Sequence, residues 1–249
     1  KDWKVNLENV QMHAPKENPT QNMSVKASLV DGDTTVEFDL TFSQEGLPFI
    51  VWGTGVTSPP SPPTTATNNY YFSLTRLNAK GTITITTDDV IESIKVSGQT
   101  WMDHEWGLFK NHGKAVKWIL QDMQLNNGVS ISNFSLTSKD NIPKLNVQTA
   151  GKATVQMSSL SESVCVDTLL TPTKSWTSSK GKEYFTEVKV VIPEYDATFV
   201  VKTIMDDQLF TTFSNLAPIY EGAGTVSGSM KIGSEIQQVD GTSWIEQTS

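Results

Sequence analysis

The 249 residues carry 27 acidic and 19 basic side chains, a formal charge of −8 and a pI near 4.9. That balance, with no basic run interleaved with aromatics, argues against a nucleic-acid binder, which needs concentrated Lys and Arg. No apolar run approaches the ~18 residues of a membrane span, and a single cysteine, Cys165, leaves no disulfide within the chain.

Helical periodicity is nearly absent and period-two alternation is frequent. Residues 25–30, an Asp31-Gly32-Asp33 turn and residues 35–42 predict a hairpin. The Pro-rich run 58–65 cannot pair in a sheet and predicts a surface connector. Residues 82–86, Asp88-Asp89 and 90–96 predict a second hairpin that leads into Trp101. Residues 115–125, the Asn126-Asn127-Gly128 turn and 129–136 predict a third. Further strands are predicted at 164–170, 184–192, 198–204, 224–232 and 243–246. This rhythm of short strands and turns predicts an all-β fold of antiparallel barrels or sandwiches. The pattern restarts after Gly107, which divides the chain into a first β domain over 1–108 and a second over 109–249. Cys165 lies in alternating strand text and reads as a packed thiol.

The run Trp101-Met102-Asp103-His104-Glu105-Trp106-Gly107 concentrates the chemistry. In an extended strand Trp101, Asp103 and Glu105 share one face, and Met102, His104 and Trp106 the other. A carboxyl desolvated in an apolar cavity holds its proton more tightly, which would suit Asp103 to donate to a substrate with few polar handles. An indole beside it can stabilise positive charge. The same residues also fit a buried structural network. Arg76, the only arginine, reads as a fork to a buried carboxylate, Asp103 or Glu105. Trp52, Tyr70, Tyr71, Trp118, Phe213 and Tyr220 are candidates to line an apolar pocket, and Glu221 is a second candidate acid. His13, His104 and His112 lack ligand spacing, so no metal site is predicted. No Gly-x-Ser-x-Gly or Gly-x-Gly-x-x-Gly occurs. Asn22-Met23-Ser24 and Asn133-Phe134-Ser135 are sequons, making Asn22 and Asn133 candidate glycosylation sites. They leave a secretory and a cytoplasmic location equally open.

The Trp-Met-Asp-His-Glu-Trp-Gly string, preceded by Tyr70-Tyr71-Phe72-Ser73-Leu74-Thr75-Arg76-Leu77, resembles the lipocalin-like superfamily of carotenoid 1,2-hydratases and AttH-like proteins, which also includes fungal Diels–Alderases. Asp2-Trp3, Asp206-Asp207-Gln208 and Tyr220-Glu221-Gly222 resemble further landmarks in order. The resemblance implies two lipocalin-like antiparallel domains. The Glu-Trp-Trp-Tyr segment with which the family usually begins is not present, so the first domain reads either as shortened or as incomplete at its N-terminus, its missing portion absent or supplied by a separate N-terminal fragment. The resemblance also implies catalysis by Asp103, His104, Glu105, Trp101 and Trp106 without a cofactor. Three functions follow. The first is a [4+2] or hetero-Diels–Alder cyclase that orients a small apolar polyketide or terpenoid in a pocket between the two domains. The second is a terpenoid alkene hydratase with Asp103 as acid. The third is a carrier of an apolar ligand.

Overall fold

The computed structural model describes residues 2–56, 69–107, 117–137, 143–211 and 218–248. Nearly all of them belong to antiparallel strands. β1 (Trp3–Asn6), β2 (Val10–Ala14), β3 (Met23–Asp31), β4 (Thr34–Gln44), β5 (Phe49–Ile50), β6 (Asn69–Thr87) and β7 (Val90–Gly107) form one sheet. Its order is β1-β2-β3-β4-β6-β5, with β7 also on β6. β8 (Lys117–Leu125), β9 (Ser130–Thr137), β10 (Thr149–Gln156), β11 (Val164–Thr177), β12 (Glu183–Ile192), β13 (Ala197–Thr203), β14 (Leu209–Phe210), β15 (Ile219–Ile232) and β16 (Glu235–Thr248) form the other.

The second sheet closes on itself. Pairing runs β8-β9-β10-β11-β12-β13-β15-β16 and back to β8, with β14 an outlying pair for β15. Closure leaves those eight strands no free edge. The interior takes every second residue: Met123, Ile131, Val155, Leu170, Val188, Val190, Phe199, Met230 and Ile245 are almost fully buried. Each such side chain contributes about 1.5–3 kcal/mol over an exposed position.

The predicted turns are where the alternation placed them. Asp31 pairs with Thr34, leaving Gly32 at φ +56° in a two-residue loop. Asp88 and Asp89 both take positive φ, 49° and 67°, as a tight hairpin needs and Asp tolerates. The strands they join run well beyond the predicted 82–86 and 90–96. The Pro-rich run 58–65 lies outside the described residues.

The residues cluster into two compact units. One is Lys1–Pro48 with Ser73–Asp103; the other is Phe49–Phe72 with His104–Ser249. Two residues of β5 and the turn after it pack in the second unit: Phe49 is fully buried, and Trp52 meets the β9 residue Phe134 edge-on at 5.4 Å. Two further expectations are corrected. Cys165 is exposed on β11, on the strand face opposite buried Val166. Asn133 is fully buried on the barrel interior, donating to Gln121 Oε1 at 2.5 Å and accepting from Thr168 Oγ1 at 2.6 Å. A glycan on that amide has no room in the folded barrel. Asn22 is exposed just before β3.

Candidate functional site

In the first unit the site is built on β6 and β7. Asp103 Oδ1 accepts the indole N–H of Trp101 at 2.6 Å and the hydroxyl of Ser73 at 2.5 Å. The first contact follows from alternation, since residues two apart on a strand share a face. The second joins neighbouring strands. Asp103 is exposed, Trp101 half-buried and Ser73 buried. Two donors on Oδ1 fix the orientation of this carboxyl group.

Arg76 lies on the same strand as Ser73 and is buried. Its Nη1 donates to Gln99 Oε1 at 3.3 Å, and its backbone N–H to Gln44 Oε1 at 3.2 Å. Arg76 thus meets two carboxamides, on β7 and β4. Burial lowers the Arg76 pKa, with the Glu45 charge opposing that.

In the second unit, Glu105 Oε1 accepts from Asn69 Nδ2 at 3.4 Å. His104 stacks on Phe72 at 5.3 Å and tilts against Trp106 at 5.2 Å. Trp106 stacks on Tyr70 at 5.3 Å and 17°. These four rings form a continuous aromatic surface, with Trp106 46% exposed.

The remaining candidates divide. Trp118 is half-buried, its indole N–H donating to Glu246 Oε1 at 2.6 Å. Glu221 is half-buried and accepts from Trp244 Nε1 at 2.6 Å. Glu221 and Glu246 are direct cross-strand partners on β15 and β16. Tyr71 is half-buried, its backbone N–H on Gly55 O at 2.9 Å. Trp52 takes φ +62°, an outlier for so large a residue. Its backbone N–H donates to Thr154 Oγ1 at 2.7 Å, which helps hold it there. Tyr220 is not a pocket residue. It is fully buried, stacks on Tyr184 at 5.5 Å and donates its hydroxyl to Asp206 O at 2.8 Å. Phe213 and His112 lie outside the described residues. Sequence reasoning missed Ser73, Trp244 and Glu246; each is brought in by strand pairing over a long sequence separation. Among the described residues no group of three or more His, Cys, Asp or Glu is placed to hold a metal, and no helix is long and apolar enough to cross a membrane.

The family model for AttH-like proteins matches residues 1–248. No curated protein matches the sequence. Among solved structures, an AttH assignment from Nitrosomonas europaea is 19% identical with a TM-score of 0.72, covering 98% of this chain and 69% of its own. Kievitone hydratase from Nectria haematococca is 18% identical with a TM-score of 0.74, covering 99% of this chain and 70% of its own. CghA in complex with Sch210972 is 13% identical at a TM-score of 0.49, over 96% of this chain and 70% of its own.

Proposed function

Because this chain belongs to the AttH-like family, we propose that it works as an acid–base enzyme on a small, largely apolar organic substrate, adding water to an alkene or removing it. One observation carries the reading: Asp103, exposed on β7, accepts hydrogen bonds from Trp101 and Ser73 at Oδ1.

In this reading Asp103 passes a proton to one alkene carbon. The adjacent carbon becomes cationic beside the π-face of Trp101, which attracts positive charge. Water adds there and its surplus proton returns to the carboxylate, directly or through solvent. The reverse sequence dehydrates an alcohol. Neither direction requires a redox cofactor. The cyclisation reading asks for a water-excluding site, and the exposure of Asp103 favours hydration over it. The shared fold of kievitone hydratase is compatible with this choice.

The test is incubation of the protein with terpenoid and polyene alkenes in H₂¹⁸O. Hydration inserts the heavy oxygen into product, and the Asp103→Asn variant loses that activity. An isomer of unchanged mass would establish cyclisation instead. Saturable binding without turnover would leave a carrier.

A further inference from the structure

One face of the first unit holds a groove unrelated to Asp103. It has a volume of about 860 Å³ and crosses β3, β4, β6 and β7 at one level. The register explains its lining. Ser24 pairs with Thr41 and Thr41 with Lys80, while Ser43 pairs with Asn78. Cross-strand partners share a face, and so do residues two apart. These five side chains therefore point the same way, with Gln99 of β7 beside them. The intervening partners, Met23, Phe42 and Ala79, also line the groove.

The chemistry of the groove is neutral. Carboxamides and hydroxyls line it together with Met23, Phe42 and Ala79, and among the described residues Lys80 is the one charged side chain there. A second hollow on the first unit, about 510 Å³, is lined instead by Glu8, Lys26, Glu37 and Asp39. The amides of the groove are also fixed in place. Arg76 Nη1 donates to Gln99 Oε1, and Gln99 Nε2 donates to Asn78 Oδ1 at 3.3 Å. Ser43 Oγ donates to Gln21 Oε1 at 2.8 Å, and Gln21 Nε2 to Gln44 O at 2.8 Å. A guanidinium at the head of an amide chain polarises it. It also orients Asn78 so that its amide N–H groups remain for a ligand.

We propose that this groove binds a neutral oligosaccharide. Groups that both donate and accept match vicinal hydroxyls, which do the same. A polyanion would need several cations. The open groove suits a chain that passes along it. The inference is independent of the Asp103 chemistry.

The test is calorimetric titration of the whole chain, made in a host that does not N-glycosylate because Asn22 lies on the groove. The probes are neutral hexasaccharides of glucose, xylose and N-acetylglucosamine, with a sulfated oligosaccharide for comparison. The expected result is saturable binding of a neutral probe, weakened about tenfold in Asn78→Ala and in Gln99→Ala. Lys231→Ala, on the barrel, should leave it unchanged. Thermal unfolding of each variant guards against misfolding, and the pair Ser24→Ala with Thr41→Val serves if Asn78→Ala does not fold. Three results would overturn the proposal: no neutral probe binds at about 10 mM, a very weak threshold; binding survives every groove variant; or only the sulfated probe binds and high salt removes it, which assigns attraction to Lys80 alone.

Discussion

The indole N–H of Trp101 and the carboxylate of Asp103 meet at 2.6 Å although they stand on one strand with a single residue between them. Trp101→Phe keeps the ring and deletes the donor. A hydrogen bond to a charged group is worth about 1.5–3 kcal/mol, so kcat should fall about tenfold or more while KM changes little. Asp103→Asn should lower turnover about 10²-fold, with a nearly unchanged melting temperature because the side chain is exposed. Steady-state kinetics and thermal unfolding check both. Full activity in a folded Asp103→Asn protein would remove this residue from the mechanism.

Tyr220 and Trp118 should behave oppositely. Tyr220 fills the barrel interior, so Tyr220→Phe should cost about 1 kcal/mol through its lost bond to Asp206 O. Tyr220→Ala should cost about 3–5 kcal/mol through the cavity left behind. Trp118 is only half-buried, and Trp118→Ala should weaken ligand binding more than stability. Urea unfolding measured alongside ligand titration separates the two. A soluble, ligand-deficient Tyr220→Ala protein of normal stability would reverse the assignment.

Local chemistry made the turns legible. Gly32 and the Asp88-Asp89 pair supply positive φ, and alternation around them gave β3, β4, β6 and β7 their faces. β10 escaped because its middle, Ala150-Gly-Lys-Ala153, is made of residues depleted in strands and carries no aromatic. Its place is set by partners on both sides, β9 and β11, not by its own propensity. Alternation through Trp101-Trp106 was readable, as the Trp101–Asp103 and His104–Trp106 contacts show. Ser73 was not, since nothing in a linear reading sets a residue thirty positions away against Asp103. Glu246, 128 positions from Trp118, was hidden for the same reason.

Asn133 tests the barrel interior. Its side chain bridges Gln121 and Thr168 in the core. Asn133→Ala should cost about 1–3 kcal/mol by stranding those partners, measured by chemical unfolding. Expression through a secretory pathway should give no mass assignable to a glycan at Asn133, whatever the occupancy of the exposed Asn22. A glycopeptide containing Asn133 from soluble, folded protein would mean that this interior opens.

Glu187 supplies an acid-sensitive tie between barrel strands. Lys174 Nζ lies 2.6 Å from its Oε2, and Thr173 Oγ1 donates to its Oε1 at 2.9 Å. The lysine bond, chiefly, holds the Glu187 pKa below the ordinary glutamate value of 4.5. The folded state thus releases this proton more readily than the unfolded chain does. The resulting stabilisation is complete above the ordinary carboxylate range and is lost as pH falls through the lowered folded value. Because Lys174 is largely exposed, the contribution is at most about 1 kcal/mol. Lys174→Gln should therefore lower stability slightly at neutral pH and flatten its decline below about pH 4.5, the glutamate range. Urea midpoints for both proteins between neutral and acid pH measure this; parallel curves would show that the pair contributes nothing to the acid response.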